Sequence, residues 1–227
     1  MNAEVSGLQE LLNQELSSKK SVRVLEAGCG SASHLDFGNK ARLVGIDISE
    51  IQLHRNALLH EKILGDVQHY NLPSESFDVI VCWDVLEHLP LPELAVRRFS
   101  HAIKPGGLII LKLPNVLSVK GLVTKFFPHW VHVLAYRHFY GDKNAGKNDN
   151  PPFKTFLRFH ISATSLQNQG AQLGLRSAYV STFDVAEIDW LRQKRVTHSL
   201  YVIVKGIVEF LSFGRIGDSE LILVLRK

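Results

Sequence analysis

Cysteine is scarce in this chain of 227 residues, with Cys29 and Cys82 as the only two. They form no Cys-x-x-Cys and no metal-ligand spacing, which excludes a disulfide scaffold and a zinc module; the expectation is two reduced, packed thiols in a cytosolic protein. Long apolar runs are missing too. Residues 1–20 carry no continuous apolar stretch, so no signal peptide is expected. No segment reaches the roughly 18 apolar residues of a membrane span. Residues 201–213 come nearest, interrupted by Lys205 and Glu209. Charge of one sign is in small excess: 26 basic against 22 acidic residues give a net +4. That balance does not indicate nucleic acid, although it is compatible with an anionic or membrane-surface partner. There is no internal repeat and no extended basic tract.

What is present is a 45% hydrophobic composition, enough for one packed domain. Leu8, Leu11, Leu12 and Leu16 predict an amphipathic helix over 4–16. Strands are expected at 22–27, 43–46, 63–64, 77–82 and 108–113. Between them the sequence predicts a short helix over 31–38, a helix over 49–60 with Ser49 as its N-cap, and a helix over 90–103. Leu91, Leu94, Val96 and Phe99 are the expected core contacts of the last. Pro105-Gly106-Gly107 reads as a turn. Strands alternating with helices argue for a parallel sheet built from right-handed crossovers. After Pro114 the character changes: 116–140 mixes aliphatic and aromatic residues with Lys and His, and 141–152 reads as a solvated loop. A helix over 162–170, capped by Ser162 and ended by Gly170, a strand over 173–181, a helix over 199–213 and a final strand over 221–225 complete the chain.

The chemistry gathers around Val22-Arg23-Val24-Leu25-Glu26-Ala27-Gly28-Cys29-Gly30, a buried strand followed by a glycine turn. Such a turn at the C-terminal end of a strand is where open α/β sheets bind nucleoside cofactors. Asp47 ends the second strand, where an acidic residue can accept both ribose hydroxyls. A nicotinamide site fits poorly, because Ser33 stands at the third glycine position of GxGxxG.

The ordered set of Val24–Gly30, Gly45-Ile46-Asp47-Ile48-Ser49, Gly65-Asp66, Phe77-Asp78-Val79-Ile80-Val81 and Lys104-Pro105-Gly106-Gly107 resembles the class I S-adenosylmethionine (SAM)-dependent methyltransferases. More narrowly, it is similar to their small-molecule branch, methyltransferase type 11 or quinone-biosynthesis-like. The resemblance covers 22–114. It implies a Rossmann-like α/β fold with a seven-stranded, mostly parallel sheet, helices on both faces and an antiparallel final strand. It also implies SAM as cofactor and S-adenosylhomocysteine (SAH) as product. Glu26 would help to hold the methionine ammonium, with Gly28, Cys29 and Gly30 at the amino-acid end and ribose. Asp47 would take the ribose, Ile48 would pack on adenine, and Asp66 and Val67 would meet its amino edge. Trp83 would contact the methionine part. On this reading 1–227 is one domain: an N-terminal helix (1–20), a SAM-binding core (21–114), a substrate-covering insertion (115–160) and the C-terminal half of the sheet (161–227).

For the acceptor, His88 is the best general base by residue type and position, with a loop histidine as the bland alternative. Asp84 is the second catalytic candidate, or orients SAM or the acceptor. Trp130, Tyr136, His138, Tyr140, Arg158 and His160 are candidates for the substrate wall. The expected reaction is methyl transfer to a small, apolar or aromatic acceptor at oxygen, with N- or C-methylation of a small molecule or lipid, and a non-catalytic SAM-fold binding or scaffold protein, as alternatives. No metal and no nucleic acid are expected, and the protein is expected as a monomer or homodimer. Leu117, Leu122, Val123, Phe126, Phe127 and Trp130, with Lys120 and Lys125, also read as an interfacial helix. The expectation is therefore a cytoplasmic protein with peripheral membrane contact through 117–130, against helices simply packed on the sheet.

Overall fold

The computed structural model describes residues 3–118, 152–156, 158–184 and 217–227, with single positions within 121–146 and 199–207. Seven strands form one sheet in the order β3-β2-β1-β4-β5-β7-β6. They are β1 (Val22–Ala27), β2 (Ala41–Asp47), β3 (Glu61–Leu64), β4 (Phe77–Trp83), β5 (Ile103–Pro114), β6 (Arg176–Phe183) and β7 (Glu220–Arg226). The pairs from β3 through β5 are parallel, and β7 runs antiparallel to both β5 and β6. This is the Rossmann-like α/β architecture that the motif order implies. The chain leaves β1 toward β2 and β3, then returns to lay β4 on the other side of β1. That reversal makes a crevice above the C-terminal ends of β1 and β4.

The core explains the pattern. All of β4 except Trp83 is buried, as expected for a central parallel strand covered on both faces. Val79 and Val81 face one layer with Leu8, Leu12 and Leu16 of α1 (Ala3–Leu16). Ile80 and Cys82 face the other, with Val96 and Phe99 of α3 (Pro92–Ala102) and Leu166 of α4 (Ala163–Gln172). Phe77 and Phe99 are fully buried, each worth about 2–3 kcal/mol of apolar burial.

Several expected boundaries are corrected. No helix forms over 31–38, which is a run of turns and bends. The helix expected over 49–60 is α2, Glu50–Arg55 only, with Ser49 capping it through Gln52 N–H. Leu91 is exposed rather than core, because α3 starts at Pro92, whose missing N–H suits the first turn. Ala95 takes the core position instead. Pro105-Gly106-Gly107 is an irregularity inside β5, since the pairing with β4 slips between Phe77 and Val79. Ser162 caps α4 as expected, but the helix runs through Gly170 to Gln172. The strand expected over 173–181 is β6, displaced toward the C-terminus. Of 199–213, Ser199, Ile203, Gly206 and Ile207 are helical, and the rest lies outside the described residues.

Candidate active site

Two groups of residues meet at the C-terminal edge of the sheet. The first belongs to β1 and β2. Gly28 and Gly30 both adopt positive φ, +69° and +52°. They serve different ends. A Cβ on Gly28 would come within 2.4 Å of a Val85 methyl, so glycine is required there for packing. A Cβ on Gly30 would meet nothing within 4 Å, so that side of the turn is open to a ligand. Asp47 locks the turn: its Oδ2 accepts from Gly30 N–H at 2.9 Å and its Oδ1 from Ser49 N–H at 2.9 Å. Ile48, beside it, is 77% exposed. An apolar side chain held outward next to a carboxylate suits a nucleoside whose ribose and base lie there.

Glu26 is buried, its carboxyl pushed above the usual range by burial against the opposing hydrogen bond from Ser33 Oγ at 2.6 Å. The cavity beside it, lined by Gly28, Cys29, His34 and Trp83, is about 10 Å³. His34 stacks on Trp83 with ring centroids 5.1 Å apart and closes that space. Cys29 is buried and its thiol is pushed up to about 12 by burial, with Asp47 and Glu26 adding to the effect, so it is no nucleophile. Asp66 holds Gln68 with both carboxylate oxygens, and Gln68 Oε1 accepts from Leu91 N–H. Val67 is buried in the core. The open side of Gly30 and the exposed Ile48 beside Asp47 suit the nucleoside end of SAM, whereas Ser33 and His34 leave little space beside Glu26.

The second group follows β4. Asp84 has φ +53°, uncommon for a non-glycine residue, and donates its N–H to the Lys112 carbonyl. Lys112 Nζ lies 2.6 and 2.8 Å from the two Asp84 oxygens and 2.8 Å from Glu220 Oε2. Burial alone would lower the lysine, but Asp84 and Glu220 overcome it and hold the ammonium above its ordinary range. Burial raises Asp84 against the opposing charge of Lys112. Glu87 is buried with its carboxyl raised well above normal by burial and by Asp84.

His88 sits in a 3-10 turn, Leu86–His88. Its Nδ1 is 2.9 Å from the carbonyl of Lys154, which can only accept, so Nδ1 carries the proton. Nε2 is left with a lone pair. Burial holds the imidazole below its usual pKa, so it is neutral at pH 7. Phe153 meets the ring edge-on at 5.9 Å, and Phe156 N–H donates to the Glu87 carbonyl at 2.8 Å. Residues 152–156 thus lie against the turn that carries His88.

The other expected wall residues are more dispersed. Trp130, Arg158 and His160 are exposed, and no hydrogen bond or ring contact joins them to His88 among the described residues. His160 instead lines a groove of about 470 Å³ with Pro92, Glu93 and Gln169, between α3 and α4. Tyr136, His138 and Tyr140 lie outside the described residues, as do Leu122, Val123, Phe126 and Phe127 of the expected interfacial helix. Leu117 is exposed, and Lys125 sits over the Phe159 ring at 4.4 Å. Among the described residues no group of His, Cys, Asp and Glu is arranged to hold a metal ion, and no helix is long and apolar enough to cross a membrane.

Lys112, Glu220, His34 and Phe153 were not among the expected site residues. The available signal was a lysine inside the apolar stretch Ile109–Leu113 and a glutamate opening the apolar stretch Leu221–Leu225.

A family model described as a methyltransferase domain matches residues 4–179. The chain is 28% identical over 144 residues to the ubiquinone biosynthesis O-methyltransferase of Leptothrix cholodnii, covering 55% of this chain and 61% of that protein. It is 32% identical over 132 residues to the protein of the same name from Thiobacillus denitrificans, covering 50% and 56%. It thus spans between half and two thirds of these relatives. Among solved structures, a SAM-dependent methyltransferase from Archaeoglobus fulgidus aligns with a TM-score of 0.54 at 18% identity, covering 98% of this chain and 94% of that one. A phosphoethanolamine N-methyltransferase from Haemonchus contortus, in complex with SAM, aligns at 0.57 and 14% identity, covering 95% and 52%. At these identities the two structures speak to the fold.

Proposed function

The chain belongs to the methyltransferase domain family, and from that premise we propose that it transfers a methyl group from SAM to an oxygen of a small, apolar or aromatic acceptor. SAM supplies an activated methyl on a sulfonium, already a good leaving group. The protein's part is to hold the nucleoside, align the acceptor and take a proton. Asp47, Ile48, Asp66 and Val67 hold the nucleoside end, and Glu26, the main chain of the Gly28–Gly30 turn and Trp83 hold the methionine end. His88 Nε2 removes the proton of the attacking hydroxyl. Phe153 and the segment 152–156, the described end of the cover over 115–160, keep water from the acceptor.

The observation that carries the choice of oxygen is the His88 tautomer. An amine needs only to be neutral when it attacks, whereas a hydroxyl needs a base, and the Lys154 carbonyl leaves Nε2 free to be one. Calorimetry with SAM and SAH tests the cofactor, and absence of binding to both would overturn the whole reading. Methyl incorporation into a panel of phenols tests the rest. His88→Ala is expected to lose at least 100-fold in turnover, the range of general base catalysis, with SAH affinity kept. Turnover that survives the substitution removes His88 as the base, and methylation confined to amines or carbon centres moves the acceptor atom.

A further inference from the structure

The stretch after β5 differs from the rest of the chain in charge and in composition. No acidic residue occurs between Glu93 and Asp142. Residues 115–160 hold seven Lys and Arg against Asp142 and Asp149, a net +5, while the whole chain is +4. Everything outside the cover is therefore close to neutral. The same stretch carries nine of the chain's 20 aromatic residues (12 Phe, 5 Tyr, 3 Trp), so rings and cations are concentrated together.

The described side chains show how the two kinds are arranged. Trp130, Phe153 and Phe159 are 66%, 46% and 48% exposed. Lys125 Nζ lies over the Phe159 ring, and Lys154 Nζ over the Phe156 ring at 5.3 Å. Lys154 and Arg158 are exposed, and neither has a carboxylate partner among the described residues. Phe153 meets the His88 ring, and His129, next to Trp130 in the chain, is close enough to help lower the His88 pKa. Exposed rings and cations thus gather beside one turn, Leu86–His88. A second apolar stretch ends against the first. Ile203 and Ile207 are helical, one turn apart and more than half exposed, and Gly217, ten residues on, donates its N–H to the Leu117 carbonyl at 2.8 Å.

An exposed ring gains by leaving water, and a lysine whose stem lies along a ring keeps its ammonium in a polar layer while the ring goes beneath it. A phosphodiester chain would satisfy the cations but offers nothing to Leu117, Leu134, Ile203 and Ile207, all exposed. Rings, aliphatic side chains and unopposed cations together complement a surface that is anionic on top and apolar below. We propose that residues 115–160 dock on an anionic phospholipid bilayer, with the exposed rings at the headgroup–acyl boundary and Lys154 and Arg158 on the phosphates, so that an apolar acceptor reaches His88 from the lipid. The route to His88 rests on the methyl-transfer reading, and the docking does not.

The test is flotation of the full chain with vesicles of phosphatidylcholine alone and of equal parts phosphatidylcholine and phosphatidylglycerol. Binding to the mixed vesicles is expected to be at least about tenfold the stronger. Lys154→Glu with Arg158→Glu should lower it at least about tenfold, since each basic residue at such a surface is worth several-fold. Arg42→Glu with Arg55→Glu makes the same change in net charge at exposed positions of β2 and α2, and should leave binding within about threefold. Trp130→Ser with Phe159→Ser should lower it at least about fivefold. All these positions are exposed, and circular dichroism checks that each variant folds. No binding, no preference for the anionic vesicles, equal losses in the two charge-reversed proteins, or a Trp130→Ser, Phe159→Ser protein that floats like the wild type overturns the proposal. Displacement from the vesicles by polyuridylate makes the patch a nucleic-acid surface and overturns it as well. SAH calorimetry on the same samples separates the two readings. A chain that floats without binding SAH loses the methyl-transfer reading and the lipid route and keeps the docking, whereas a chain that binds SAH without floating loses the docking alone.

Discussion

The two sides of the crevice are built by different means. On the β1–β2 side the fixed points are main-chain groups: Gly30 and Ser49 donate their N–H to one carboxylate, Asp47, from positions 17 and 2 residues away. On the β4–β5–β7 side they are side-chain charges that meet across strands, Asp84 on Lys112 from 28 residues away and Glu220 from beyond 100 more. A site for one fixed ligand can be made by a short turn and an acidic strand end. A site for a variable ligand is made where distant strands converge, and there a charge needs a partner that the local sequence does not supply.

Four measurements would break or sharpen that contrast. The largest effect is expected at Lys112. Replacing it with Met removes the ammonium that lies between Asp84 and the buried Glu220, and should cost about 3–5 kcal/mol in urea denaturation. Adding Glu220→Gln should restore at least half of the loss, whereas a loss under about 1 kcal/mol for Lys112→Met would mean that the charges are not coupled. Next comes Gly28→Ala, which combines a left-handed backbone with the Val85 overlap and should destabilise by about 2–4 kcal/mol. Gly30→Ala has space, so its stability loss should stay at about 1–2 kcal/mol while SAH affinity falls more than it does in the folded Gly28→Ala protein. Equal stability losses would show that the two glycines share one role.

Asp47→Asn should weaken SAH by about 1.5–3 kcal/mol, the range for hydrogen bonds to a charged group, and cost about 1 kcal/mol in unfolding, because one of its two main-chain donors then faces an amide NH2. A small change in SAH affinity would place the ribose elsewhere. The gentlest test is pH. Glu87 is raised above 4.5 in the fold, so the folded protein holds that proton more tightly than the unfolded chain does. Its contribution is therefore fully present below pH 4.5 and is lost as pH rises through the raised value. Gln at 87 stays neutral, so Glu87→Gln should gain on the wild type as pH rises from 4 to 8 in denaturation. A constant difference across that range would show that folding leaves the Glu87 carboxyl unshifted.

The sheet was legible because central parallel strands are nearly continuous apolar runs. Phe77–Trp83 can be read as β4 without any partner in view. The cofactor side was legible for a related reason: its residues lie within a few turns of the strands that carry them. The segment after Gly30 was not. Ser31, Ala32 and Ser33 permit a helix, and only contacts made elsewhere, Ser33 on Glu26 and His34 on Trp83, hold the chain in bends. Lys112 was hidden for the opposite reason. Read along the strand it is a lone charge in an apolar run, and its two carboxylates come from the residue after β4 and the first residue of β7. Leu91 shows the limit of periodicity, since it has the right spacing for the core but precedes the helix start that Pro92 fixes.

The contact between His88 and Lys154 is made by a main-chain carbonyl. Every residue at position 154 brings the same oxygen, so drift in the side chains of the cover leaves the imidazole proton on Nδ1. On the proposed reading, the cover can therefore be rewritten for a new acceptor, one residue at a time, without resetting the base beneath it.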